Sequence, residues 1–195
     1  MLANAPIDIP EEMYQEICRL YSIPKRFYHT FAHIEEVLLH YHNLKEEWEH
    51  PIEVFLAFLY HDAIYEYGAK DNEEKSARIA HREIQKYFPQ RNIDIELVMQ
   101  LIRHTANHGQ LKRDALNREE QLFLDCDMSI LGSAPTRFRE YEQQIEQEYT
   151  QVYPKLLYRM GRKKFRRTLL KAERIFFSEE FHNRYDAQAR INLRS

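Results

Sequence analysis

The chain has 195 residues, 44 % hydrophobic and 30 % charged, with a net charge of -3 and a sequence pI of about 6.4. That length suits one domain, and the near-neutral balance excludes a general nucleic-acid binder, so no nucleic-acid polymer is expected as a partner. Cys18 and Cys126 stand alone without a CxxC pattern, which excludes a disulfide framework and fits a reducing cytoplasm.

The opening, MLANAPIDIP, lacks the basic and apolar regions of a signal peptide. No apolar run approaches the roughly 20 residues that span a bilayer, so no membrane partner is expected. Apolar residues then recur at helical spacing nearly everywhere. In chain order, helices are expected near 10–22, 26–44, 51–67, 72–88, 93–108, 118–131, 135–152 and 162–178, with a shorter one near 180–192. Leu97, Val98, Leu101 and Ile102 form one core stripe; Phe165, Leu169, Ala172 and Phe176 form another. Pro51 suits a first helical turn, and Asp71 with Glu74 and Asn117 with Glu120 have the spacing of capping boxes. Gly68, Gly109, Gly132 and Gly161 fall at expected helix boundaries, and no GxGxxG or P-loop is present. The expected class is all-α.

Four stretches carry titratable residues in telling contexts. In YHTFAHIEEVLLHYHNL, from Tyr28 to Leu44, His29 and His33 are four apart and should share a helix face. In AFLYHDAIYEY, His61 and Asp62 interrupt an apolar stretch. A buried carboxylate needs a cation, either a protonated His61 or a divalent metal. In LIRHTANHG, His104 and His108 are four apart near a helix end, where the macrodipole alone favours protonated histidine. In LFLDCDMSILG, Asp125 and Asp127 sit in another apolar helix, and periodicity does not choose between them. The run RMGRKKFRR, from Arg159 to Arg167, reads as a solvated face or as a site for an anion. The remaining histidines and the tyrosines of the later helices read as core or surface. Ser76 lacks the partners of a nucleophile.

His33, His61–Asp62 and an aspartate from a later helix together make a mixed nitrogen and oxygen donor set. Such a set suits Mn, Fe, Ni, Co, Zn or Mg, with water completing the shell. These segments, together with DNEEKSA, EQEYTQVY and ARINL, resemble the HD-domain superfamily of metal-dependent phosphohydrolases, and more narrowly a small bacterial subgroup of it. The resemblance runs from about residue 28 to 193. It implies an HD-type helical bundle with additional C-terminal helices: one domain over 1–195, with a core at about 26–132 and an extension at about 135–195. It assigns the metal to His33, His61, Asp62 and Asp127, preferring Asp127 over Asp125 because the superfamily's last aspartate opens a D-x-x-I/L-L turn. Glu73 is the implied general base or water-orienting group. His29, His104, His108, Asp125 and Arg103 are expected at the substrate or behind the ligands. The implied activity is hydrolysis of a phosphate ester or nucleotide by a metal-activated water, on a small-molecule phosphate substrate in the cytoplasm. The alternatives are an HD-fold nucleotide- or metal-binding module without turnover and, third, a di-iron HD oxygenase.

Overall fold

A computed structural model describes residues 4–106 and 111–195, and every regular element among them is helical. The chain is all-α and divides into two compact units, 1–108 and 109–195. That division falls inside the stretch that the sequence groups as a core.

In the first unit, α1 (Glu11–Tyr21) buries Met13, Ile17 and Tyr21 at steps of four, and Glu11 and Glu12 sit at its positive end. Helix α2 (Phe31–Asn43) buries Ile34, Val37, Leu38 and Tyr41 together with His33. Helix α3 (Pro51–Tyr60), opened by Pro51 as expected, is buried all round from Val54 to Tyr60. It is the core helix of this unit and packs against α2, α4 (Asn72–Tyr87) and α5 (Ile95–Thr105). Burial of Phe55, Leu56, Phe58 and Leu59 contributes on the order of 2 kcal/mol per side chain. That investment fixes where α3 ends, and the end of α3 carries His61.

The second unit contains α6 (Arg118–Met128), a 3-10 turn (Ser129–Gly132), α7 (Pro135–Tyr149), α8 (Lys155–Lys171), the short α9 (Glu179–Phe181), a π-helical turn (His182–Asp186) and α10 (Ala187–Arg194). The Asn117–Glu120 capping box forms, with Glu120 N–H donating to Asn117 Oδ1 at 2.9 Å and Asn117 N–H to Glu120 Oε2 at 2.8 Å. Asn192 on α10 donates to the carbonyls of Leu131 and Ser133 at 2.8 and 2.9 Å, which ties the last helix to the turn after α6.

Several expected boundaries move. The helix expected over 26–44 begins at Phe31, so His29 lies in the turn before it rather than on its face. The helix expected over 51–67 stops at Tyr60, and Gly68 serves a loop turn with φ 84 instead of a helix end. Asp71 makes no capping bond. It pairs with Lys75, and Glu74 is drawn away to Arg78 and Arg103, so the side chains of that capping box are spent on ion pairs. Gly161 lies inside α8. The break between the last long helices comes at Thr150–Pro154, where Pro154 precedes the first turn. Helix α8 stops at Lys171 because Arg190 takes the carbonyls of Leu170, Ala172 and Glu173. Phe176 of the expected stripe is therefore buried from the segment that follows. Gly109 lies outside the described residues.

Two glycines give opposite predictions. A Cβ on Gly132 would lie 2.5 Å from Tyr185 Cβ and 2.9 Å from its carbonyl oxygen, whereas a Cβ on Gly161 meets nothing within 4 Å. Gly132→Ala should cost roughly 1–3 kcal/mol by overpacking. Gly161→Ala should add about 0.5–1 kcal/mol by helix propensity. Urea unfolding midpoints of the two variants, moving in opposite directions from the parent, check this.

Candidate metal centre

Three side chains of the first unit converge. His33 comes from the first turn of α2, His61 from the residue closing α3, and Asp62 from the position after it. One ligand atom from each lies within 4.8 Å of the other two. His33 Nε2 is 3.1 Å from His61 Nε2, and Asp62 Oδ2 is 3.3 Å from His61 Nε2 and 3.7 Å from His33 Nε2. Both imidazoles are almost fully buried, at 3 % and 1 % exposure. The Asp62 side chain keeps 15 % of its surface, so the cluster opens to solvent on the carboxylate side.

The local chain explains the orientation. His61 Nδ1 is 2.9 Å from the carbonyl of Phe58. A carbonyl can only accept, so Nδ1–H is the donor, and in the neutral ring Nε2 bears the lone pair. Burial alone pushes the Asp62 carboxyl up. The positive charge that the imidazoles of His61, His29 and His33 carry when protonated, with the hydrogen bond that His61 then donates, more than offsets this and holds it well below the usual carboxylate range. Asp62 is thus an anion that requires positive charge beside it, carried as protons on the rings or, with the rings neutral, by a bound ion.

Such an arrangement needs a positive charge among the donors. Two ligands each about 2.0–2.1 Å from a metal, at 90–109° to one another, stand roughly 2.8–3.4 Å apart. The 3.1 Å between the two Nε2 atoms fits that range. A proton shared between the two rings fits it equally, but leaves a buried pair with one partly exposed carboxylate and no further ligand positions. The donor set, neutral nitrogen with charged oxygen, is of the kind that binds divalent first-row metals.

Residues around the cluster hold it without contributing a donor. Arg26, a residue the sequence reading passed over, is buried at 8 % exposure. It donates to the carbonyls of His29, Asp62 and Ala63 at 3.1, 2.8 and 2.9 Å, strapping the turn before α2 to the His–Asp backbone. Lys25 just before it has φ 79, a left-handed conformation that costs a lysine energy and reverses the chain to present Arg26. Tyr28 packs its ring 4.8 Å from that of His33. His29 stacks on Tyr65 at 3.7 Å between centroids, with its ring 6.3 Å from that of His33. It is a neighbour of the cluster, and a proton on its ring would favour the Asp62 carboxylate.

The loop after Asp62 is clamped by the first turns of α4. Asn72 accepts from the backbone N–H of Glu66 at 3.0 Å and donates to its carbonyl at 2.9 Å. Ser76 accepts from Ile64 N–H at 3.0 Å. Glu73, between them in sequence, is half-buried, and its carboxylate makes no hydrogen bond or ion pair with the described residues.

The other expected site residues are placed as follows. Arg103 donates to Glu74 at 2.8 Å and Glu96 at 2.9 Å, so its guanidinium is engaged by two carboxylates of its own unit. His104 is half-buried in the last turn of α5, and His108 lies outside the described residues. Asp127 is half-buried in the last turn of α6, in the second unit. Asp125 is fully buried there. It accepts from Phe177 N–H at 2.8 Å and from Ser178 N–H and Oγ–H at 2.6 Å each, anchoring the segment after α8.

Replacing Arg26 by Leu would leave three carbonyls without their donor. The expected cost is roughly 2–4 kcal/mol in urea unfolding, and the loss should be larger than for Arg103→Leu, whose partners are exposed carboxylates. Comparison of the chain with protein-family models, curated proteins and solved structures gives no match.

Proposed function

We propose that this protein is a metal-dependent phosphohydrolase of the HD type, acting on a small phosphate ester or nucleotide. The observation that carries the reading is the convergence of His33, His61 and Asp62 with their donor atoms turned inward. In this reading the two neutral imidazoles and the Asp62 carboxylate hold one divalent ion, and Asp127 is a fourth ligand. The place of Asp127 rests on the sequence resemblance alone. When bound, the metal would lower the pKa of a coordinated water and polarise a phosphoryl oxygen.

The protein's own groups divide the remaining work. The Phe58 carbonyl keeps His61 in the orientation that exposes Nε2. Arg26 keeps the His–Asp backbone against the turn that carries His29. Glu73 has no partner among the described residues to neutralise it and stands on the helix whose first turns clamp the loop after Asp62, so it is the group assigned to take a proton from water. His29, stacked on Tyr65 beside the cluster, is the nearest described imidazole that could donate to a phosphate oxygen.

The test is metal analysis of the purified protein, followed by assays with Mn or Ni against nucleotides and generic phosphate esters. The parent protein should bind metal and turn over at least one ester. Asp62→Ala should lose turnover by about 100-fold or more with its helical circular dichroism retained. Glu73→Gln should keep the metal and lose about 10²–10⁴ in rate. Metal without turnover across the panel would make the protein a binding module. Two irons with oxygen uptake would make it an oxygenase. Absence of metal binding, or turnover indifferent to Asp62→Ala, would overturn the proposal.

A further inference from the structure

The second unit holds a feature that the metal centre does not use. Helix α8, 17 residues long, carries eight lysines and arginines and no acid, in a chain whose net charge is -3. Along it a cleft of about 570 Å³ opens between α7, α8 and α10, within the size range of small-molecule sites. Arg159, Arg162, Lys163, Arg166, Arg167 and Arg194 line it. The first five recur at steps of three and four, so they share one side of the helix.

Two of these cations are fixed and the rest are not. Arg162, with 13 % of its side chain exposed, donates from Nε to Glu142 Oε1 at 2.9 Å, and its guanidinium lies 5.0 Å from the Tyr141 ring centroid and 4.6 Å from that of Phe165. Arg166 donates to the other Glu142 oxygen at 2.6 Å. Lys155 satisfies Glu146, the other acid of the cleft, at 3.0 Å. Arg159, Lys163, Arg167 and Arg194 are exposed and have no carboxylate partner among the described residues. A rigid arginine floor is therefore ringed by four uncompensated cations, whose mutual repulsion an incoming anion would relieve. Guanidinium forks match phosphate oxygens two at a time.

We propose that this cleft is a binding site for a small molecule carrying two or more adjacent phosphate groups. It stands independently of the phosphohydrolase reading, because none of its residues belongs to the metal cluster. The adjoining groove of α8, which shares Lys163 and Arg167 with the cleft, supplies an internal control. Lys164 and Lys171 lie on the same helix with the same charge but do not line the cleft.

Isothermal titration calorimetry of the full chain with sodium tripolyphosphate, in EDTA so that no metal contributes, tests the proposal. Binding near one to one is expected, weakening as salt rises. Arg159→Gln with Arg167→Gln should weaken it by about tenfold or more, while Lys164→Gln with Lys171→Gln should change it less than about twofold. All these side chains are exposed, and thermal melts in buffer should match the parent. Equal weakening by the two double variants would reduce the effect to diffuse helix charge and overturn the site. So would absence of binding in the parent. A parent that ignores tripolyphosphate but sediments with phosphatidylglycerol vesicles would make α8 a lipid-facing surface, which also refutes a cleft ligand.

Discussion

The hydrogen bond between His61 Nδ1 and the Phe58 carbonyl is the constraint on which the candidate centre depends. It uses the last free carbonyls of α3, a helix immobilised by apolar burial on every side, to orient one ring. With Nδ1 committed as donor, Nε2 faces His33 and Asp62 as an acceptor. The orientation is stiff because moving the ring would require moving α3, and α3 is packed against α2, α4 and α5. The hydrophobic core of the first unit thus becomes the support of a polar cluster that would otherwise destabilise it.

Two aspartates show how one sequence signal serves different ends. Asp62 and Asp125 both interrupt apolar stretches, and both are largely buried. Asp125 meets two backbone N–H groups and a hydroxyl, a complete set of neutral donors, and burial still pushes its carboxyl up to about 7. Its work is to pin the segment after α8. Asp62 has imidazoles in place of amides, and these hold its carboxyl down. An acid surrounded by backbone donors is satisfied within the fold. An acid surrounded by imidazoles needs positive charge to complete it, as protons on the rings or as a bound cation.

Helix class, the capping box at Asn117 and the start of α3 at Pro51 were legible because each rests on spacing between near neighbours. The His33, His61 and Asp62 set was legible as residue types, and the fold brings them together. What spacing could not give was where helices stop. The turn that follows α3 and the end of α8 are held by Arg26 and Arg190, which reach carbonyls 36–37 and 17–20 residues away. Arg26 itself was invisible for the same reason: arginine is usually exposed, and nothing in its neighbours signals that it will be buried as a strap. The Asp71–Glu74 box failed because Lys75, Arg78 and Arg103 compete for both carboxylates, and one of these comes from another helix.

Basic side chains on α8 make the complementary case. A lysine or arginine on a solvated helix costs little, so charge density alone carries no message. The message lies in how unevenly the acids answer it. Glu142 takes two arginines and is half-buried with them, their guanidinium groups against aromatic rings, where leaving either partner out would be costly. The exposed cations beside them receive no such answer within their unit. A cleft that spends a half-buried acid on fixing two guanidinium groups in place, while four neighbouring cations have no carboxylate partner among the described residues, has organised positive charge rather than merely tolerated it. Preorganisation of this kind lowers the conformational cost of meeting an anion and does nothing for stability by itself.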